Sequence, residues 1–394
     1  MPGCRKQPHE SQHAQTSPEA YSLLQHTQAA IDRNDYLSAA SLADSAARVD
    51  PALPEIHFLR GVISENLNRL STARSAYEKV YQLRPDYPGI HFYLGNIQFK
   101  FEQYRSALAQ YRQAIETYRP SEEPYSKSRA YLNLGLAYAR LDKPDSALMV
   151  YRQALTDDST NAEAAIRIAT AHREEGELDQ ALRYALRALR TQPENPDYQF
   201  QVGALYFQQG DMSQAIPCFE QAIRQMPWNY RAQYQLGQAL MRQGRENEAR
   251  QHLARADTLK GQLAEIVKLE QKTRMEPSRM LHWFNLGKAY HELGDEAMAK
   301  ESLLMALSID PGNLVLLNNL GHICLRLDQP DESISYFRKI LRADSSLSEV
   351  WLSLGLAYAQ TGQIPDAREA WRQVLAIHPA DARARAFLQQ SGGL

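Results

Sequence analysis

Side-chain amides are the first feature of this 394-residue chain with chemical potential. Asn133, Gln201, Gln235, Asn285 and Asn319 stand at one recurring register, Arg167 occupies the place between the first two, and Gln25 and Ser353 extend the row. A primary amide offers both a donor and an acceptor, the complement of the C=O and N–H of an extended peptide. Large apolar residues flank the row. Phe58, Phe92, Ile166, Phe200, Tyr234 and Phe284 each precede that register by one residue, and Phe99, Phe207 and Met241 lie seven beyond their partners. Seven residues return to the same side of a helix, so Phe92/Phe99, Phe200/Phe207 and Tyr234/Met241 are candidate apolar pockets beside amide rungs. Asn96 and Gln238 fall on the same side. Pockets and rungs together suit the non-covalent capture of a peptide segment.

Bond-making chemistry has no comparable foothold. The chain contains no H-E-x-x-H, no C-x-x-C, no G-x-x-x-x-G-K-[ST], no G-x-S-x-G and no G-x-G-x-x-G. Its eleven histidines are scattered, and His57 and His91 share a register that normally packs. Cys4, Cys218 and Cys324 are too few and too far apart for a disulfide framework; the last two read as small buried hydrophobes. No enzyme, metal or cofactor is expected. With 44 Lys+Arg against 46 Asp+Glu, bulk charge does not favour nucleic acid. No apolar run reaches the length of a bilayer span.

The elements that must position the amides repeat. Gly61, Gly95, Gly135, Ala169, Gly203, Gly237, Gly287, Gly321 and Gly355 mark steps of 34 residues, interrupted by one of 40 and one of 50; one step back lies Thr27, giving ten units. Twelve residues after each mark stands Ala39, Ala73, Ala107, Ala147, Ala181, Ala215, Ala249, Ala299, Ser333 or Ala367. Each unit reads as two short amphipathic helices joined by a Gly- or Pro-containing turn. An aromatic follows the second small residue by four in six units (Tyr77, Tyr111, Tyr151, Phe219, Phe337, Trp371). Small residues let the two axes approach, and the aromatic fills the adjoining space. Pro51, Pro85, Pro193, Pro227, Pro311 and Pro379 close six units.

This pattern resembles the tetratricopeptide repeat family, most fully in Trp283-Leu286-Gly287-Tyr290-Ala299-Ala306-Pro311 and in Trp351-Leu354-Gly355-Tyr358-Ala367-Trp371-Pro379. The resemblance covers about residues 19–379. It implies an all-α solenoid, a right-handed superhelix whose first helices line a concave groove, with a protein or peptide as ligand. On this basis the candidate groove residues are Asn96, Asn133, Arg167, Gln201, Gln235, Gln238, Asn285 and Asn319, with Phe92, Phe99, Phe200, Phe207, Tyr234, Met241 and Phe284. The amide row is also similar to the asparagine ladder of O-linked N-acetylglucosamine transferases, which implies a substrate-recruiting subunit as an alternative. The carboxylate clamp of chaperone-binding relatives matches at Asn96, Asn133 and Arg167, while its lysine positions hold Phe92 and Glu163.

The expected organisation is a disordered tail over 1–18, seven units over 19–260 with a polar insertion near 120–127, an inserted helix or linker over 261–279, three units over 280–379, and a capping helix and tail over 380–394. The inserted stretch keeps Leu263, Ile266, Val267 and Leu269 at helical spacing and reads as a lengthened helix or a protruding handle. Pro2-Gly3-Cys4 resembles the end of a bacterial lipoprotein signal, but charged and apolar regions are missing upstream. Cytoplasm is therefore the default location, and an envelope assembly factor lipidated at Cys4 the alternative.

Overall fold

Helical periodicity becomes 21 helices and no strand among the residues described, 17–121 and 124–392, in this computed structural model. Two compact units divide between Pro193 and Glu194. In the first, hairpins are formed by α1 (Pro18–Asp32) with α2 (Tyr36–Val49), and α3 (Pro54–Asn66) with α4 (Leu70–Leu83). They continue with α5 (Ile90–Lys100) and α6 (Tyr104–Glu116), α7 (Lys127–Arg140) and α8 (Pro144–Asp157), and α9 (Ala162–Glu174) and α10 (Leu178–Thr191). The second unit has α11 (Pro196–Gln209) with α12 (Met212–Gln225), α13 (Tyr230–Arg242) with α14 (Glu246–Met275), and α15 (Met280–Leu293) with α16 (Glu296–Ile309). It ends with α17 (Leu314–Arg326) and α18 (Pro330–Ala343), α19 (Ser348–Gln360) and α20 (Ile364–Ile377), then α21 (Ala382–Gln390). Within each unit every hairpin packs on the next, the one-dimensional stacking of an α-solenoid. The tail and Cys4 lie outside the described residues, as do Glu122 and Glu123 of the polar insertion.

The glycine marks have a direct steric cause. A Cβ on Gly61 would lie 2.3 Å from the Tyr77 ring, and one on Gly95 2.7 Å from Tyr111. Gly135 meets Tyr151, Gly203 meets Phe219, Gly321 meets Phe337 and Gly355 meets Trp371 in the same way, whereas Gly237 and Gly287 receive Leu253 and Leu303. Each first helix thus carries a notch, and the second helix inserts one large side chain into it. The turn between the two helices holds one left-handed residue in all ten hairpins: Asn34, Asn68, Glu102, Asp142 and Asp328 in five, glycine in the others. Such a residue ends the helix by turning the chain back over its last carbonyls.

The 16 extra residues of the seventh repeat form neither a separate helix nor a linker beginning at 261. They lengthen its second helix, so that α14 runs unbroken for 30 residues. Leu259, Ile266 and Leu269 pack against Leu286 and Tyr290 of α15, which joins the extension to the core rather than leaving it as a handle. At the C-terminal end, Ala384 and Leu388 of α21 are buried and Phe387 lies 5.2 Å from Trp371 between ring centroids, covering the last hairpin.

Candidate functional site

The amide register falls on the face made by the first helices of the hairpins, and the two units present that face differently. In the first unit the inserted tyrosines carry polar atoms through the notch. Tyr77 donates to Glu65 Oε2 (2.9 Å), and Lys100 Nζ donates to Glu65 Oε1 (2.7 Å). Tyr111 donates to Asn96 Oδ1 (3.0 Å), and Asn133 Nδ2 donates to the same oxygen (2.9 Å). With both donors on Oδ1, the Asn96 NH2 is turned away from them. Burial pushes both tyrosine hydroxyls well above their ordinary range, and Glu65 adds to the effect at Tyr77, so both stay protonated donors. Glu65, Asn96, Phe99, Lys100, Arg129 and Asn133 line a cavity of about 260 Å³. Further along, Arg167 pairs with Glu163 at 2.5 Å. That pair neutralises the arginine a carboxylate clamp would use.

In the second unit the inserted residues are Phe219, Leu253, Leu303, Phe337 and Trp371, none of which carries a hydroxyl. Gln201 and Asn285 make no hydrogen bond among the described residues, and Gln235 Oε1 is buried without a partner. Gln238 donates to the Tyr234 hydroxyl (2.9 Å), and Asn319 donates to the Val315 carbonyl of its own helix (2.7 Å). Large apolar side chains are open here: Tyr234 is 46% exposed, Met241 41%, Leu281 49% and Val315 59%. Leu281 and Val315 were missed in the sequence. Both stand one helical turn before the amide register, at a place where neighbouring repeats carry Arg231 and Glu349.

Several expected pocket residues serve the core instead. Phe92 is 2% exposed and stacks on Tyr125 of the polar insertion, 4.2 Å between ring centroids and 6° between planes, so it is closed to a ligand. Phe200 and Phe207 are half-buried against Phe219, with the Arg242 guanidinium 4.1 Å above the Phe207 ring. Phe284 packs on the core around Leu286. Phe99 is half-buried and lines the first unit's cavity. The amide row is likewise not one uniform ladder: Asn96, Asn133, Arg167, Gln238 and Asn319 are engaged within the protein, while Gln201, Gln235 and Asn285 are not.

Burial raises the thiol pKa values of Cys218 and Cys324 to about 11, which suppresses thiolate. His172, Glu175 and Glu177 bring ligand-type atoms within 4.8 Å of one another at the α9–α10 turn. A hydrogen-bonding contact between His172 Nδ1 and Glu177 Oε2 (2.8 Å) accounts for that grouping. No helix among the described residues is long and apolar enough to cross a membrane.

Tetratricopeptide repeat models match residues 138–201, 206–272 and 325–390 in one form, and 86–159, 24–88 and 283–313 in three others. The chain belongs to the tetratricopeptide repeat family. As a tetratricopeptide repeat protein it is a scaffold for protein–protein interaction, built on a fold that is typically non-catalytic. It is 30% identical over 112 residues to Protein CTR9 homolog of Arabidopsis thaliana, covering 27% of this chain and 10% of that protein. It is 27% identical over 113 residues to anaphase-promoting complex subunit CDC16 of Saccharomyces cerevisiae, covering 27% of this chain and 14% of that one. The match therefore spans a seventh or less of either relative. The solved structure of Pseudomonas aeruginosa pilF is similar with a TM-score of 0.47 at 19% identity, over 53% of this chain and 92% of that one.

Proposed function

We propose that this tetratricopeptide repeat protein is a non-enzymatic scaffold that holds a segment of a partner protein on its first-helix face, chiefly in the second unit. The observation that carries this reading is the coincidence of three amides lacking internal partners, Gln201, Gln235 and Asn285, with the exposed side chains of Tyr234, Met241 and Leu281. The Gln235 oxygen, buried without a donor, costs about 1–3 kcal/mol, and turning the side chain outward to accept from a ligand N–H recovers that cost on binding. Exposed apolar residues around the amides supply area to desolvate, and the amides fix the register of the bound chain.

The test is a triple variant, Gln201→Ala, Gln235→Ala and Asn285→Ala, assayed for partner capture from native lysate against wild type. Capture falls about tenfold or more, at roughly 0.5–1.5 kcal/mol per amide lost, while far-UV circular dichroism and thermal unfolding stay unchanged. Undiminished capture by a folded triple variant contradicts the reading.

A further inference from the structure

A second surface lies on the other side of the second unit, between the second helices α18 and α20 and over α19. Two cavities of about 370 and 360 Å³ adjoin there and share Arg338, Arg342 and Tyr358. Trp351 and Leu354 form an apolar floor, and Lys339 joins the two arginines on the α18 wall. None of the three cations has an ion-pair partner among the described residues. Acidic groups border the site as well. Asp331 and Asp366 sit in the first turns of α18 and α20, where the helix dipole stabilises their charge, and Glu369 is 3.7 Å from Arg372.

Tyr358 distinguishes this groove from its counterparts. Buried tyrosines stand at the same register in three first helices, and two of them have hydroxyl partners: Tyr138 accepts from Arg112, and Tyr290 donates to Glu270 at 2.6 Å. Tyr358 is 5% exposed, and its hydroxyl makes no hydrogen bond among the described residues. Arg338, which corresponds to Arg112, lies over the Tyr358 ring at 5.5 Å from the centroid instead of bonding the oxygen. An unused hydroxyl and two guanidinium groups without ion-pair partners, Arg338 and Arg342, thus meet above an apolar floor, with Lys339 at the edge over the Tyr336 ring.

We infer that this groove docks an acidic, apolar peptide segment of a partner protein, independently of the first-helix face. A carboxylate accepts from the Tyr358 hydroxyl and the Arg338 guanidinium, Lys339 and Arg342 supply further positive charge, and a neighbouring leucine or aromatic covers Leu354 and Trp351. The carboxylates of Asp366 and Glu369 on the opposite wall disfavour a continuous polyanion such as nucleic acid. They are compatible with a peptide, whose charges are spaced and whose backbone offers N–H donors.

The probe is a panel of fluorescein-labelled decapeptides with paired Glu flanking permuted Leu, Phe and Trp, read by fluorescence anisotropy on the full chain; peptides with Lys for Glu are the control. At least one acidic peptide binds saturably and the Lys series does not. Lys339→Glu with Arg342→Glu, both at exposed positions, weakens binding about tenfold or more. Tyr358→Phe, which keeps the ring and the packing, weakens it about threefold or more. The triple alanine variant of the first-helix face binds the peptide as wild type does, so this proposal and the one above fail separately. Binding by no panel member, equal binding by both groove variants, loss in the triple alanine variant, or complete displacement by millimolar inorganic phosphate would each overturn the proposal, the last marking an anion site only.

Discussion

The first-helix faces of the two units share one register and differ in whether their polar groups are already satisfied. In the first unit, Tyr77 and Tyr111 pass through glycine notches and engage Glu65 and Asn96, and Asn133 completes the second network. In the second unit, Phe219 occupies the place of Tyr111 and Gln235 that of Asn133, and the Gln235 oxygen is left without a donor. Two tyrosine hydroxyls, in the second and third repeats, thus bond part of this face internally in the first unit. The second unit lacks both such a hydroxyl and the Asn96 acceptor, whose register holds Ala204. Exposed apolar residues are more numerous on the first helices of the second unit, with Tyr234, Met241, Leu281, Val315 and Leu356 open there and Tyr21 in the first unit.

The strongest way to break the comparison is at the notches themselves. Gly61→Ala drives a methyl to 2.3 Å from a buried aromatic ring, whereas Gly237→Ala meets the more adaptable Leu253 at 2.7 Å. The helix-propensity gain of about 1 kcal/mol is common to both sites, so the neighbour decides. Gly61→Ala is expected to cost about 1–3 kcal/mol net against a rigid ring, and Gly237→Ala less because Leu253 can change rotamer. Thermal unfolding of the full chain ranks the two, and equal losses would remove the notch as the organising device. The next effect is reciprocal. Tyr111→Phe is expected to destabilise the first unit by about 1 kcal/mol, and Phe219→Tyr to stabilise the second by roughly 0.5–1 kcal/mol by giving Gln235 a donor. Hydrogen exchange resolved by helix checks both signs, and Phe219→Tyr should also weaken partner capture. The smallest effect concerns the turns: Glu102 holds φ at 59°, where Gly294 holds the same register at 100° without a side chain. Glu102→Gly is expected to raise the stability of its hairpin by a few tenths to about 1 kcal/mol, read as slower exchange in α5 and α6.

Much of this was legible in the sequence. The 34-residue step, the small-residue marks and the capping role of Ala384, Phe387 and Leu388 follow from steric demands that each repeat must meet. The fate of Phe92 was not legible, because Tyr125, which covers it, arrives from an insertion outside the period. The extra residues after Ala256 read in the sequence as either a lengthened helix or a protruding handle, and the structure has the lengthened helix. Gly261 lies within it and the stretch has no proline, and Leu259, Ile266 and Leu269 keep its buried face turned to α15. The division of the amides into engaged and unengaged had a readable cue, the choice of Tyr against Phe or Leu sixteen residues after each glycine. It becomes informative only once that side chain is known to cross the notch.

Site-specific photocrosslinking tests the central claim most directly. Benzoylphenylalanine is placed in turn at Tyr234, Leu281, Lys100 and Met149, the last on the second-helix side of the first unit, and native lysate is irradiated. Partner adducts are expected at Tyr234 and Leu281, sharply reduced when Gln201, Gln235 and Asn285 are alanine, with few at Lys100 or Met149. Adducts spread evenly over all four positions, or concentrated at Met149, would contradict the account.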